Sequence, residues 1–150
     1  MTFRSTKTYN HEIGLSACFR QWRAKSHCNK LHGYALSIRF EFEATELDEN
    51  NWVIDFGSLK PLRAKLEHYF DHRTLVAVDD PHMDWYVEAQ RRNIADIIVM
   101  DNIGCEKFAE FAYGLADEWL REAGQSSRCR VVSAEVREHG ANSAIYLGKD

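Results

Sequence analysis

Residues 31–45 constrain the fold more than any other part of this sequence. From position 34 to position 42, every second residue is large and apolar: Tyr34, Leu36, Ile38, Phe40 and Phe42. The residues between them are small or charged. Such alternation places successive side chains on opposite faces of a β-strand. The run therefore predicts a long strand with one face on a core and the other face in a polar environment.

Other patterns predict the elements on either side of this strand. We expect a first strand over residues 3–19 and a C-terminal hairpin of strands 128–138 and 142–148 joined by 139–141. Apolar residues at helical spacing predict helices over 58–70 and 105–124. Residues 71–104 are predicted to be mostly irregular, with a short helix near 85–92 and a strand at 96–100. The order β-β-α-α-β-β predicts an α+β fold: a four-stranded antiparallel sheet with two helices on one face.

Composition indicates one globular domain over residues 1–150. The chain is 45% hydrophobic and 28% charged, and it contains no apolar run long enough to span a membrane. A formal net charge of −4 gives no reason to expect nucleic-acid binding. The four cysteines form no C-x-x-C pairs and the N-terminus has no secretory pattern, so we expect reduced thiols and a cytoplasmic location. The unpaired edges of a four-stranded sheet predict self-association.

Residue types suited to catalysis occur in the loop before the long strand. Cys28 lies between His27 and Lys30, and a nearby cation makes a thiol a usable base or nucleophile, although a cysteine is more often a small buried hydrophobe. His32 falls on the apolar face of the strand, where a lone histidine is either a packed core residue or a ligand. Three basic residues of the loop either solvate it or suit a phosphate-bearing substrate: Arg20, Arg23 and Lys25.

Two further sites carry carboxylates in suggestive positions. Asp71 and His72 follow the first helix, where the carboxylate either orients the imidazole for proton transfer or simply solvates the helix end. Glu138 follows Val132, Ala134 and Val136 on one face of the predicted strand. Unless the strand surfaces at that point, this carboxylate needs donors, and the N–C–N edge of a purine or pterin would supply them.

With these residues assembled, the chain resembles the 6-pyruvoyltetrahydropterin synthase / 6-carboxytetrahydropterin synthase family over nearly its whole length. CNKLHG (28–33) is similar to the family's catalytic-cysteine motif, and FDHRTL (70–75) to its Asp–His segment. VIDFGSLK (53–60) resembles the segment that opens the first helix. NIGCE (102–106) keeps the Asn and Glu of an Asn-Pro-Thr-Ser-Glu motif, with Cys105 at the usual Ser. VREHGANSAIY (136–146) lines up with the C-terminal hairpin.

The resemblance implies a tunnelling fold (T-fold), in which subunits join their sheets into a barrel, typically a trimer that pairs into a hexamer. Active sites would lie between subunits, and the substrate would be 7,8-dihydroneopterin triphosphate. Glu138 would grip the pterin ring, and Glu106 would contribute to substrate binding. Cys28 would act as general base on the side-chain carbon, while Asp71 and His72 would shuttle a second proton.

The resemblance also implies a zinc ion held by three histidines, and here the chain departs from the family. The first ligand position is Phe19 and the third is Tyr34, so only His32 remains as a metal ligand. Phenylalanine cannot bind zinc, and tyrosine is a poor ligand beside imidazole. A rebuilt zinc site would need another donor, and three residues are candidates: His27, Cys18 and His139.

The leading hypothesis is therefore a lyase of the 6-carboxytetrahydropterin synthase type, in queuosine/7-deazaguanine or pterin biosynthesis. The sequence leaves open 6-pyruvoyltetrahydropterin formation, a metal-independent dihydroneopterin aldolase or epimerase, and a non-catalytic pterin- or purine-binding protein. The lost zinc ligands favour the aldolase or epimerase, whereas the retained Cys28 favours the synthase.

Overall fold

The structure, a computed structural model, describes residues 1–149 and confirms the α+β class. The described part of the chain forms seven strands and three α-helices. In chain order the elements are β1 (Phe3–Tyr9), β2 (Leu15–Phe19), β3 (His32–Ala44), α1 (Lys60–Phe70), β4 (Arg73–Ala77), α2 (Met83–Arg91), β5 (Ile97–Met100), α3 (Cys105–Glu122), β6 (Cys129–His139) and β7 (Asn142–Leu147). No helix within residues 1–149 is both long and apolar enough to cross a membrane.

The long strand β3 organises the sheet because it pairs with two strands along one edge. Its second half pairs antiparallel with β1, and its first half pairs antiparallel with β2. Along the other edge it pairs with β6, which pairs with β7. The predicted antiparallel sheet is thus β1-β3-β6-β7, while β2 starts a second arm that continues through the parallel pairs β2–β4 and β4–β5. Among the described residues the sheet stays open, ending at β5 and β7.

The prediction of one strand over residues 3–19 is wrong. A 3₁₀ turn at His11–Ile13 separates β1 from β2, and Gly14 follows it at φ 80°, a conformation that favours glycine. The alternation of apolar residues continues across this break, because Tyr9 on one side of it and Leu15 on the other are both buried. The two strands instead occupy successive parts of one edge of β3.

In the described part of the chain, β2, β4 and β5 extend the predicted four-stranded sheet to seven strands. Besides the division of the first strand, the prediction missed β4, which lies in the segment expected to be irregular. β4 has five residues, of which Leu75, Val76 and Ala77 are all buried. A short strand of a parallel arm, covered on both faces, has no alternation to reveal it. The short helix and the strand predicted near 85–92 and 96–100 are present as α2 and β5.

Two irregularities change the face assignment predicted for β6. The register with β3 shifts near Val132, so that Val131 pairs with Phe42 and is buried, whereas Val132 is half-buried. The prediction that Val132 shares the face of Ala134 and Val136 is therefore wrong. The register with β7 shifts again between Arg137 and His139, which leaves Glu138 as the extra residue of a β-bulge.

The core lies between the sheet and the two longer helices, which pack on one face as predicted. Phe108 of α3 packs edge-on against Phe19 of β2, with ring centroids 5.0 Å apart. Phe70 of α1 lies 5.8 Å from the Phe108 ring. The opposite face of the antiparallel strands carries ion pairs, such as those of Glu43 with Arg4 and Arg130. The alternation of residues 31–45 therefore divides an apolar core from a charged surface.

The loop between β2 and β3 is fixed by an ion pair that sequence reasoning missed. The guanidinium of Arg20 donates two hydrogen bonds to Asp80, at 2.9 and 2.7 Å, and a third to the carbonyl of Asn29. The Asp80 side chain is 2% exposed. Burial alone would raise the pKa of Asp80, but the hydrogen bonds from Arg20 and the backbone N–H of His82 hold it below its usual value.

A close approach of backbones fixes β2 against β3 at the same end of the sheet. A Cβ atom at Gly33 would lie 2.9 Å from the backbone carbonyl oxygen of Ala17. Because that contact is with backbone rather than with a flexible side chain, a larger residue would push the two strands apart. Because Gly33 has no side chain, the neighbouring residues of β3 can lie this close to β2.

We predict that Gly33→Ala lowers the free energy of unfolding by about 1–3 kcal/mol, because the strands must separate to admit the methyl group. Gly114→Ala is the matched control: Gly114 is exposed in the middle of α3, and a methyl group there would meet no neighbouring atom within 4 Å. That change should raise the free energy of unfolding by about 0.5–1 kcal/mol. Urea denaturation of the three proteins compares them, and equal effects of the two changes would contradict the close-approach argument.

We predict that Arg20→Ala lowers the free energy of unfolding by about 3 kcal/mol, because it leaves the buried Asp80 carboxylate without its partner. Arg23→Ala is the control, since Arg23 pairs with Asp79 at the surface and should contribute under about 1 kcal/mol.

The same pair predicts an acid dependence. The folded-state pKa of Asp80 lies below its usual 3.8, so its contribution is present above about pH 4 and is lost as the pH falls through the folded-state value. Urea midpoints measured for the native protein and Arg20→Ala should therefore converge at acid pH. A constant difference between pH 7 and pH 3 would contradict this assignment.

Candidate active site

Three rings meet where β2 ends and β3 begins. Phe19 lies opposite His32 in the β2–β3 register, and Tyr34 follows two residues later on the same face. The ring centroids of Phe19, His32 and Tyr34 form a triangle with sides of 5.4, 5.5 and 6.0 Å. The ring of His139 lies 6.1 Å from that of Tyr34. The positions that the family resemblance assigns to metal ligands therefore adjoin one another in the structure.

The hydrogen bonds of His32 define its tautomer. Its Nδ1 lies 2.7 Å from the carbonyl oxygen of Lys30. A carbonyl oxygen only accepts, so Nδ1 carries the proton and Nε2 keeps its lone pair. Within residues 1–149, Nε2 has no hydrogen-bond partner. The imidazole is therefore oriented by the backbone, with its acceptor nitrogen available to a ligand.

Cys28 lies in a 3₁₀ turn beside this triangle. Ser26 caps the turn by accepting from the Cys28 backbone N–H, and the backbone N–H of Gln21 donates to the Cys28 carbonyl at 2.9 Å. The side chain of Gln21 in turn donates to the carbonyl of Ile103, also at 2.9 Å. Gln21 thus ties the Cys28 loop to the segment that precedes α3. No motif in the sequence singled out Gln21.

Glu138 and Cys28 both influence the pKa of the Tyr34 phenol. Burial raises the pKa of the Tyr34 phenol, and the negative charges of the Glu138 carboxylate and of an ionised Cys28 raise it further. Both predicted residues, one from the loop and one from the bulge in β6, therefore lie within electrostatic reach of the same ring. Cys28, Tyr34 and Glu138 are half-buried, so the group they form is open to a ligand.

Cys105 connects this group to the start of α3. Its thiol donates to the carbonyl of Val136 at 3.0 Å. Burial and the carboxylate of Glu138 raise the pKa of Cys105 to about 11, so at neutral pH it remains a protonated thiol. The carboxylate of the neighbouring Glu106, which is exposed, raises that pKa as well. The two glutamates predicted to bind substrate therefore flank one thiol.

Asp71 and His72 form the predicted carboxylate–imidazole pair, at the end of α1. His72 Nδ1 lies 2.7 Å from Asp71 Oδ1, and the backbone N–H of Ser16 donates to the same oxygen at 3.4 Å. His72 has φ 56°, a left-handed conformation that costs a non-glycine residue about 1 kcal/mol or more. Its side chain is 85% exposed. The imidazole therefore faces solvent while its partner is held by the strand β2.

A single chain does not bring this pair to Cys28. Asp71 contacts β2 at Ser16, whereas Cys28 pairs with Gln21, five residues further along, or about 16 Å on an extended strand. His72 also lines a cleft with Ser16 and Cys18, on the face of β2 opposite to the core. The proton relay inferred from the resemblance does not form within one chain.

The basic residues of the loop mostly have other partners. Arg20 is engaged by Asp80, and Arg23 pairs with Asp79 at 2.7 Å while its guanidinium lies over the Trp22 ring. Lys25 is exposed. A phosphate-binding role for Arg20 would break the contact that holds the loop.

The donors around His32 do not fit a zinc ion. Within residues 1–149, no group of three or more His, Cys, Asp or Glu residues is arranged to hold a metal. Both ring nitrogens of His139 are engaged: Nδ1 accepts from the Ala141 N–H, and Nε2 lies 3.3 Å from the Asn142 side-chain amide. Cys18 lies on the opposite face of β2, and His27 is exposed in the loop. None of the three candidate replacements completes a ligand set with His32.

Comparison with known proteins gives the family. Residues 8–149 match the family 6-pyruvoyl tetrahydropterin synthase. The chain is 25% identical over 139 residues to a 6-carboxy-5,6,7,8-tetrahydropterin synthase of Aquifex aeolicus, covering 91% of this chain and 86% of that protein.

Solved structures confirm the tunnelling fold. An uncharacterized protein of Wolinella succinogenes superposes with a TM-score of 0.84 at 16% identity, over 99% of both chains. The 6-pyruvoyl tetrahydropterin synthase of Plasmodium falciparum superposes with a TM-score of 0.70 at 14% identity, over 97% of this chain and 96% of that chain. The match over residues 8–149 establishes that the chain belongs to the 6-pyruvoyl tetrahydropterin synthase family.

Proposed function

We propose that this protein is a lyase of the 6-carboxytetrahydropterin synthase type that acts on 7,8-dihydroneopterin triphosphate. The observation that carries the proposal is the position of Tyr34, whose ring lies 6.1 Å from that of His139, next to Glu138, and within electrostatic reach of Glu138 and Cys28. A cysteine whose thiolate can accept a proton and a carboxylate that can hold a pterin ring are then on the same side of the molecule. Membership of the family supports the pterin as substrate.

Glu138 is suited to bind the pterin through its N–C–N edge. A carboxylate offers two oxygens to two parallel N–H donors, which gives a bidentate and oriented contact. The bulge at Glu138 projects it beside Cys105, whose thiol stays protonated and so adds no second negative charge at neutral pH. The pterin side chain would then extend toward Tyr34 and Cys28, where the thiolate would remove a proton from the side-chain carbon.

The second proton donor would come from a neighbouring subunit. Asp71 and His72 are too far from Cys28 within one chain, yet His72 is exposed and oriented by Asp71. Exposed apolar side chains on the edge strands support association: Phe3 of β1, Val99 of β5, and Ile145 and Leu147 of β7. We therefore propose that subunits join their sheet edges and complete each site across the interface.

A dihydroneopterin aldolase or epimerase is the second candidate. The observation in its favour is the incomplete zinc ligand set around His32. Both candidates use the same pterin and the same carboxylate anchor, so binding alone does not distinguish them. The products do: the synthase releases triphosphate from the nucleotide-derived substrate, whereas the aldolase or epimerase acts on the dephosphorylated 7,8-dihydroneopterin.

We predict that Cys28→Ala lowers turnover of 7,8-dihydroneopterin triphosphate by at least about 100-fold while the dissociation constant changes less than about threefold, because the thiol is the base rather than the anchor. Glu138→Gln should instead weaken binding by about tenfold or more. Cys18→Ala, which removes a half-buried thiol on the other face of β2, is the control and should keep full activity. Unchanged turnover in Cys28→Ala would favour a non-catalytic pterin-binding protein.

We also predict that two inactive variants complement each other. Cys28→Ala and His72→Ala should each be inactive alone, but equal amounts unfolded and refolded together should regain about a quarter of the native activity, since about a quarter of the interfaces then pair an intact Cys28 with an intact His72. Refolding each variant separately is the control. Activity no higher in the mixture than in its components would contradict a site shared between subunits.

A further inference from the structure

We propose that the triangle of Phe19, His32 and Tyr34 is a metal-free subsite, in which the Tyr34 hydroxyl and His32 Nε2 hydrogen-bond the hydroxylated side chain of a dihydropterin. The inference rests on the proposed function for the identity of the ligand. It goes beyond that function because it assigns a binding role to Tyr34 and states what replaces the zinc ion that the family resemblance implies.

The triangle has nearly the dimensions of a three-histidine zinc site. Zinc lies about 2.0–2.1 Å from each imidazole nitrogen, so three imidazoles around a tetrahedral ion have ring centroids about 5 Å apart. The observed separations are 5.4, 5.5 and 6.0 Å. The register of β2 and β3 therefore brings these three side chains into contact, and two of them lack an imidazole.

Two of the three rings offer zinc no strong ligand atom. Phe19 is 1% exposed and packs against Phe108, which makes it part of the core. The phenol of Tyr34 is a weak zinc ligand beside an imidazole. His139 does not compensate, because its Nδ1 accepts from the Ala141 N–H and its Nε2 lies 3.3 Å from the Asn142 side-chain amide.

The same arrangement is suited to hydroxyl groups. The Tyr34 hydroxyl has no hydrogen-bond partner in the part of the chain that the structure describes, and the same is true of His32 Nε2. One is a donor and the other an acceptor, on rings that meet edge to face with centroids 5.5 Å apart. A side chain with two adjacent hydroxyls satisfies both: one hydroxyl donates to Nε2, and the other accepts from the phenol.

A zinc titration against a chromophoric chelator tests the metal half of the inference. The native protein should take up no zinc in competition with the chelator. Phe19→His/Tyr34→His, which restores imidazole at both positions, should bind about one zinc per chain, and adding His32→Ala to that variant should abolish the binding. Because Phe19 is buried, Tyr34→His alone provides a second variant at a half-buried position and should bind zinc at least about tenfold more tightly than the native protein.

Calorimetric titration with 7,8-dihydroneopterin tests the ligand half. Binding by the native protein should be unchanged within about twofold by excess EDTA or by added zinc. Tyr34→Phe should weaken binding about three- to tenfold, the effect of losing one hydrogen bond. Tyr69→Phe, which removes another half-buried tyrosine hydroxyl on α1, is the control and should not change binding.

The outcomes separate this inference from the proposed function. Zinc uptake by the native protein that His32→Ala abolishes, or dihydroneopterin binding that EDTA abolishes, would overturn the inference and leave the proposed function standing. Folded histidine variants that bind no more zinc than the native protein would overturn the claim that the three positions converge on one point. Failure of the native protein to bind either 7,8-dihydroneopterin or its triphosphate, with or without zinc, would contradict the proposed function itself, and with it the ligand of this subsite.

Discussion

The pairing of β2 with the first half of β3 is the interaction on which the candidate site depends. Phe19 and His32 face each other in this register. Because Gly33 has no side chain, the two backbones lie closer together than any other residue would allow. The same pairing places Tyr34 beside both rings. A shift of β2 by one residue would turn Phe19 to the face opposite to His32 and Tyr34. The position of the rings is thus a consequence of strand register rather than of contacts among the rings themselves.

The loop and the helix that surround these rings are held by polar contacts of unequal strength. Arg20 and the buried Asp80 fix the loop that carries Cys28, and Gln21 joins that loop to the start of α3. The bulge in β6 brings Glu138 to the same place. The loop that carries Cys28, the start of α3 and the bulge in β6 therefore all lie around Tyr34. The Asp71–His72 pair stays on the other side of β2, and the proposed function therefore has it reach Cys28 from a neighbouring subunit.

Alternation and helical spacing predicted the elements that build the core, because burial on one face leaves a periodic pattern. They did not reveal the break at Gly14, where the pattern continued in phase by coincidence, or β4, which is buried on both faces. The bulge near Val132 was also invisible, since an extra residue changes the phase without changing the composition. Each of these errors concerns backbone geometry that a hydrophobic pattern does not encode.

The candidate site was predictable only in part. Cys28 and Glu138 carry recognisable motifs, and the structure places both near Tyr34. Gln21 and the Arg20–Asp80 pair carry no motif, because their roles depend on partners more than fifty residues away in the chain. The replacement of two zinc-ligand positions by Phe19 and Tyr34 could be read from the sequence. What takes the place of zinc depends on ring geometry, which only the structure supplies.

A crystal structure of the protein with 7,8-dihydroneopterin bound would test the central claim most directly. The account predicts the pterin ring on the Glu138 carboxylate, with its side-chain hydroxyls within hydrogen-bond distance of His32 Nε2 and the Tyr34 hydroxyl, and with Cys28 facing the side-chain carbon. A pterin bound elsewhere, for example in the cleft of about 440 Å³ that Asn102 and Lys107 line between β5 and α3, would contradict it.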